Sequence, residues 1–153
     1  MAVNHCDIAA PPERVFEILL DARYYGHWVV GARKIRGTDP DWPAVGSRFH
    51  HVVGVPPLVI RDHTSIEEID PPRLLKLRAK ARPLGTALIE LRLEPNATGT
   101  RVRMSEEPGD FFSAFIFQPL THLLVWRRNV TSLGRLKDIA EGRGPSPQEA
   151  AAA

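Results

Sequence analysis

The chain is poor in the residues that usually announce a function. Among 153 residues there is one cysteine, Cys6, which excludes an intramolecular disulfide and a Cys-based zinc finger. No glycine-rich phosphate-binding motif occurs. Aromatic residues make up 7% of the chain and none interleaves with the basic residues, as a surface for stacking nucleic-acid bases would require. No apolar run reaches the ~20 residues of a membrane-spanning helix, and the N-terminus lacks the basic-then-apolar layout of a signal peptide. Neither charge dominates, with 20 basic against 18 acidic side chains. These absences predict a cytoplasmic chain with no nucleic-acid partner and no stable membrane insertion. With 43% hydrophobic and 25% charged residues, the composition is that of an ordinary globular domain, and a domain of this size buries about 70% of its unfolded surface.

Patterning then divides the chain. Residues 3–10 alternate weakly, with Cys6, Ile8 and Ala10 on one side, and predict a first strand. Pro11-Pro12-Glu13 suits a helix start, and Val15, Phe16, Leu19 and Leu20 make one apolar helical face. Residues 21–28 read as a second short helix. From Ala32 to Glu107 the period becomes two, in six strands separated by Pro-, Gly- and Asp-rich turns. Residues 74–82 are typical: Leu75, Leu77, Ala79 and Ala81 alternate with Lys76, Arg78, Lys80 and Arg82. Such strands form an antiparallel meander with one wet face. Residues 111–142 predict one long helix, kinked at Pro119, with Trp126, Val130, Leu133, Leu136 and Ala140 on its apolar face. The last twelve residues, GRGPSPQEAAAA, have no pattern and predict a disordered tail over 142–153 beyond a domain of residues 1–141.

A curved sheet covered by a single long helix leaves space between the two, so a cavity is expected there. Polar residues on the inward face are the informative ones, because burying one without a partner costs about 1–3 kcal/mol. Asp62 shares a face with Ile60, Thr64 and Ile66; Glu106 shares one with Val102 and Met104. Glu106 suits a strand end or an arginine partner. A hairpin turn near residues 55–57 pairs residues whose numbers sum to 113 or 112. The first sum sets His51 opposite Asp62 and turns Phe49 inward; the second sets His50 there instead. Internalising Phe49 favours the first. An imidazole beside a carboxylate is the geometry of a general acid or base, and equally of a polar anchor for a ligand. Neighbouring strand residues point to opposite faces, so His50 and His51 cannot both reach one ion, and neither a metal nor a cofactor is expected. The other expected ligand-lining residues are Trp28, Phe49, Ile60 and Met104 on one side, and Phe112, Phe115, His122, Trp126 and Asn129 on the helix. Tyr24, Tyr25, Trp28 and Trp42 are expected at the rim of the entrance.

Five segments resemble one superfamily: APPERVFEILLDARYYGHW at 10–28, WPAVGSRF at 42–49, SIEEIDPPRLLKLRA at 65–79, GTRVRMSEEP at 99–108 and RRNVTSLGRLKDIAE at 127–141. The chain over residues 3–141 resembles the START-like (Bet v 1-like, SRPBCC) superfamily, and within it bacterial polyketide cyclase/dehydrase-like proteins. The resemblance implies an α+β helix-grip fold: a curved seven-stranded antiparallel sheet wrapped around a long C-terminal helix, with two short helices after the first strand. It implies binding of a hydrophobic or aromatic small molecule, such as a lipid or a polyketide-like compound. The alternative is a cyclase or dehydratase using the inward His–Asp pair as acid and base. The segment Phe111–Trp126 is apolar nearly all round, which a large cavity, a homodimer contact or a transient membrane contact would each explain.

Overall fold

The computed structural model describes residues 1–80, 82, 85–110 and 119–152, apart from the side chains of residues 33, 53–55 and 119–121. Strand β1 (Ala2–Ile8) leads into helices α1 (Pro12–Leu20) and α2 (Ala22–Trp28). Six strands follow: β2 (Ala32–Thr38), β3 (Arg48–Val55), β4 (Leu58–Asp70), β5 (Leu74–Lys80), β6 (Thr86–Asn96) and β7 (Gly99–Pro108). Helix α3 covers Pro119–Ala140 and a short α4 covers Pro147–Ala152.

All strand pairings are antiparallel, and the sheet runs in the order β1-β7-β6-β5-β4-β3-β2. The meander places each strand beside its predecessor, and β1 closes against β7. Helices α1 and α2 therefore carry the chain from one sheet edge to the other. Helix α1 starts with proline in its first turn and buries Val15, Phe16, Ile18 and Leu19. Asp21 separates the two helices and caps α2, its Oδ1 accepting from the Arg23 N–H at 3.0 Å.

Alternation along the strands fills the inner face with Phe49, Ile66, Leu75, Leu77, Leu91, Leu93, Val102 and Met104, all buried. Helix α3 lies against this side and buries Leu133, Leu136 and Ile139, together with Asn129 and Ser132. The expected apolar face of this helix is corrected: Trp126 and Val130 stand 48% and 45% exposed. The inward stripe is rotated from the predicted one because two polar residues, Asn129 and Ser132, occupy it. Ser132 accepts from the Val30 N–H at 3.1 Å. The expected long helix from residue 111 lies in its first part outside the described residues. Among the described residues, no helix is long and apolar enough to cross a membrane.

The C-terminal residues also depart from the expectation. Ser146 and Glu149 form a reciprocal cap, with the Ser146 N–H donating to Glu149 at 2.7 Å and the Glu149 N–H to the Ser146 hydroxyl at 3.3 Å. Helix α4 follows, and its Ala150 is buried. His27 of α2 contacts the Ala150 carbonyl at 3.1 Å through Nε2.

Candidate functional site

The β3–β4 register sets His51 opposite Asp62 and His50 opposite His63. This is the register that turns Phe49 inward, and Phe49, His51, Asp62 and Thr64 are all buried. His50 faces the other side of the sheet, where its Nε2 lies 2.9 Å from Asp39 Oδ1.

Opposed as they are, His51 and Asp62 hold different partners. His51 Nε2 lies 3.0 Å from the Thr64 hydroxyl, two residues along β4. Asp62 Oδ1 accepts from the His63 N–H at 3.0 Å, and Oδ2 accepts from the Arg82 N–H at 3.0 Å and from its guanidinium at 3.4 Å. Burial pushes the Asp62 carboxyl up, but these donors outweigh it and hold the group below its ordinary range. Asp62 is thus a carboxylate that fastens the backbone beyond the end of β5. Burial also acts on His51, driving its pKa down to about 4 against the raising charge of Asp62. The imidazole is neutral at physiological pH. Its Nδ1 is buried and, among the described residues, has no hydrogen-bond partner.

The aromatic residues of α2 complete this wall. Tyr24, Tyr25 and Trp28 are buried, at 2%, 6% and 1% exposure, which corrects their placing at an entrance rim. Trp42 is half-buried and its indole N–H donates to the Leu20 carbonyl at 2.8 Å. The physical reason is a stacked aromatic cluster that a seven-residue helix cannot reveal by its own periodicity. Tyr25 meets Phe49 edge-on at 4.2 Å between ring centroids, Trp28 at 5.6 Å and the His51 ring nearly parallel at 6.1 Å. Burial pushes the Tyr25 phenol up to about 12, opposed by a hydrogen bond with Thr64. Thr64 thus stands beside both Tyr25 and His51 inside an apolar surround. Trp28 Nε1 and Asn4 Oδ1 on β1 are likewise buried without a partner among the described residues.

Across the sheet, Glu106 is buried on β7. Its Oε2 accepts from the Arg128 guanidinium and from the Asn129 amide, the latter at 3.0 Å. Asn4 is likewise tied to α3, its amide donating to the Trp126 carbonyl at 3.3 Å. Glu106 and Asn129 thus share one polar contact between sheet and helix.

Of the residues expected to line a ligand site, Trp28, Phe49, Met104, Glu106 and Asn129 are buried. Ile60 and His122 are half-buried. Trp126 is half exposed, and the contact it makes with Asn4 uses its backbone carbonyl. Phe112 and Phe115 lie outside the described residues. Sequence reasoning did not name Asn4 or Arg128, and it placed Tyr25 at the rim and Thr64 only on the face of Asp62. Thr64 carried a signal, since it alternates onto the same face as Asp62. An arginine partner is expected for Glu106, but nothing in the sequence singles out Arg128, which is distant in the chain.

The family model for polyketide cyclase/dehydrase and lipid transport proteins matches residues 3–141. Among proteins with curated descriptions, none matches this sequence. Solved structures of the same fold include protein MLL2253 of Mesorhizobium loti, with 18% identity over 94% of this chain and 98% of that one, and a TM-score of 0.67. A Staphylococcus aureus protein of unknown function, SA2116, superposes with a TM-score of 0.71 at 13% identity, over 92% of this chain and 93% of that one. The Aha1 dimer of Colwellia psychrerythraea superposes with a TM-score of 0.69 at 17% identity, over 94% of this chain and 98% of that one. A family match over nearly the whole chain, on a seven-stranded sheet closed by a C-terminal helix, identifies the protein as a member of the polyketide cyclase/dehydrase and lipid transport family.

Proposed function

We propose that the protein binds a hydrophobic or aromatic small molecule, lipid or polyketide-like, between the inner face of the sheet and α3. One observation carries this reading. Among the described residues, three buried polar atoms, His51 Nδ1, Trp28 Nε1 and Asn4 Oδ1, have no hydrogen-bond partner. Each such atom costs about 1–3 kcal/mol when left unpaired, and native interiors hold few of them. Trp28 Nε1–H can only donate, and a neutral His51 donates from Nδ1 when Nε2 accepts from Thr64. A ligand that is apolar over most of its surface and carries a carbonyl or hydroxyl oxygen matches the two donors, whereas Asn4 Oδ1 accepts and needs a hydroxyl. Apolar contact would supply most of the affinity and the oxygen its orientation.

A second reading, a cyclase or dehydratase, rests on the same His51. A buried neutral imidazole with a free ring nitrogen can take a proton from a carbon next to a carbonyl. In that reading His51 works with Thr64 beside it, because the Asp62 oxygens are held by His63 and Arg82.

Parallel binding and turnover assays with aromatic polyketides and fatty acids test both readings. A binding protein loses affinity in His51→Phe and shows no product with any compound. An enzyme loses turnover in His51→Phe at little changed affinity, while Asp62→Asn keeps it. Failure of every compound to bind the native protein, or affinity and turnover both undiminished in His51→Phe, would contradict both.

A further inference from the structure

The outer face of the β2–β5 half of the sheet has a composition that the interior site does not explain. Because His51 and Asp62 point inward, their neighbours on each strand point out. Lys34 of β2 stands beside Val52 of β3, which stands opposite Arg61 of β4. One step further from the β3–β4 turn, His50 stands opposite His63, and Lys80 at the end of β5 lies close enough to lower the His63 pKa by its charge. Among the described residues Lys34, Arg61 and Lys80 form no ion pair. Asp39 is already held by Arg48 and His50, so these cations are uncompensated.

The turn they surround is apolar. Pro56 and Pro57 are exposed, Leu58 is 81% exposed and Val59 47%. At about 3.3 Å per residue, Leu58 projects roughly 10 Å beyond Arg61. That offset matches the 5–10 Å to which interfacial segments sink into the boundary between headgroups and acyl chains.

We propose that the β3–β4 hairpin docks the protein on an anionic lipid bilayer, with Leu58 and Val59 entering the interface, Lys34 and Arg61 on lipid phosphates, and Lys80 further back adding to the positive field. Charge complementarity selects an anionic surface, and the aliphatic tip selects lipid over nucleic acid. A nucleic-acid surface would set large aromatic side chains among the cations for base stacking, and this row of outer residues holds no Phe, Tyr or Trp. The docking is peripheral and independent of what the interior holds.

Co-sedimentation of the full chain with lipid vesicles tests it. Vesicles of phosphatidylcholine and phosphatidylglycerol in equal parts should retain the protein, vesicles of phosphatidylcholine alone should not, and added salt should release it. Leu58→Asp should abolish retention while the melting temperature stays nearly unchanged, since this side chain is 81% exposed. Lys34→Ala with Arg61→Ala should weaken binding about 25-fold, at roughly fivefold per cation. His51→Phe, which alters only the interior, should bind vesicles normally. Equal retention on neutral vesicles, undiminished retention of Leu58→Asp, or loss in Trp126→Ala instead would overturn the proposal. So would retention on a single-stranded oligonucleotide with none on vesicles.

Discussion

His51 and Asp62 face each other across β3 and β4, yet the imidazole pairs with Thr64 and the carboxylate with the backbone of His63 and Arg82. Proximity without a shared hydrogen bond separates their roles. Asp62 holds the chain beyond β5. His51 keeps a buried ring nitrogen that has no hydrogen-bond partner among the described residues.

That separation predicts the effect of removing Asp62. Asp62→Asn keeps one carbonyl acceptor but sets an amide against an N–H donor, leaving one backbone N–H unpaired. The expected cost is about 1–3 kcal/mol, read as a lower denaturation midpoint, with ligand affinity preserved in the folded protein. A loss of affinity as large as that of His51→Phe would mean that the two act as one unit.

Burial of His51 predicts a pH dependence. Its pKa falls from 6.5 to about 4 on folding, so between these values the unfolded chain binds the proton and the folded chain does not. The stability this group contributes is intact above pH 6.5 and is lost as the pH falls towards 4, by about 3 kcal/mol in all. His63 is also lowered, chiefly by burial, and adds a loss of the same sign. Urea midpoints at several pH values for the native protein and His51→Phe isolate the His51 part. An identical slope in the two proteins would contradict the assignment.

The contact between Glu106 and α3 predicts a double-mutant cycle. Arg128→Met leaves the buried Glu106 carboxylate with Asn129 alone and should cost about 2–3 kcal/mol, moderated because Arg128 reaches solvent. Combining it with Glu106→Leu should recover much of that loss. Strict additivity of the two substitutions would show that the contact carries no coupling.

Two glycines should respond oppositely to alanine. At Gly99 the backbone has φ +152°, and an added Cβ would stand 2.3 Å from the Ile8 carbonyl oxygen and 2.7 Å from the Ala10 nitrogen. Gly99→Ala should cost about 2–4 kcal/mol. Gly134, within α3, has nothing within 4 Å of its Cβ position, and Gly134→Ala should gain about 0.5–1 kcal/mol. Thermal melts of the two variants check both signs.

The architecture was legible because alternation and turn residues are local. The turn at Pro56 and Pro57 set the register of His51 and Asp62, and the inward set of Val102, Met104 and Glu106 followed from period two. The misreadings arose where tertiary partners decide. Asn129 and Ser132 turn inward because Glu106 and the Val30 N–H receive them, and this rotates Trp126 towards solvent. Tyr24, Tyr25 and Trp28 are buried together because a two-turn helix is enclosed on several sides. The pairing of His51 with Thr64 depends on a side-chain rotamer, which no pattern records. The S-x-x-E signal of Ser146 and Glu149 was present in the tail but hidden within a Pro- and Ala-rich stretch.

The central claim is that the interior around His51 anchors an apolar ligand through an oxygen atom. Native mass spectrometry of the purified protein beside His51→Phe, followed by denaturing extraction, tests it most directly. The account predicts an apolar, oxygen-bearing molecule retained by the native protein and depleted in the variant. Equal retention of that molecule by both, or a molecule with no hydrogen-bonding oxygen, would contradict it.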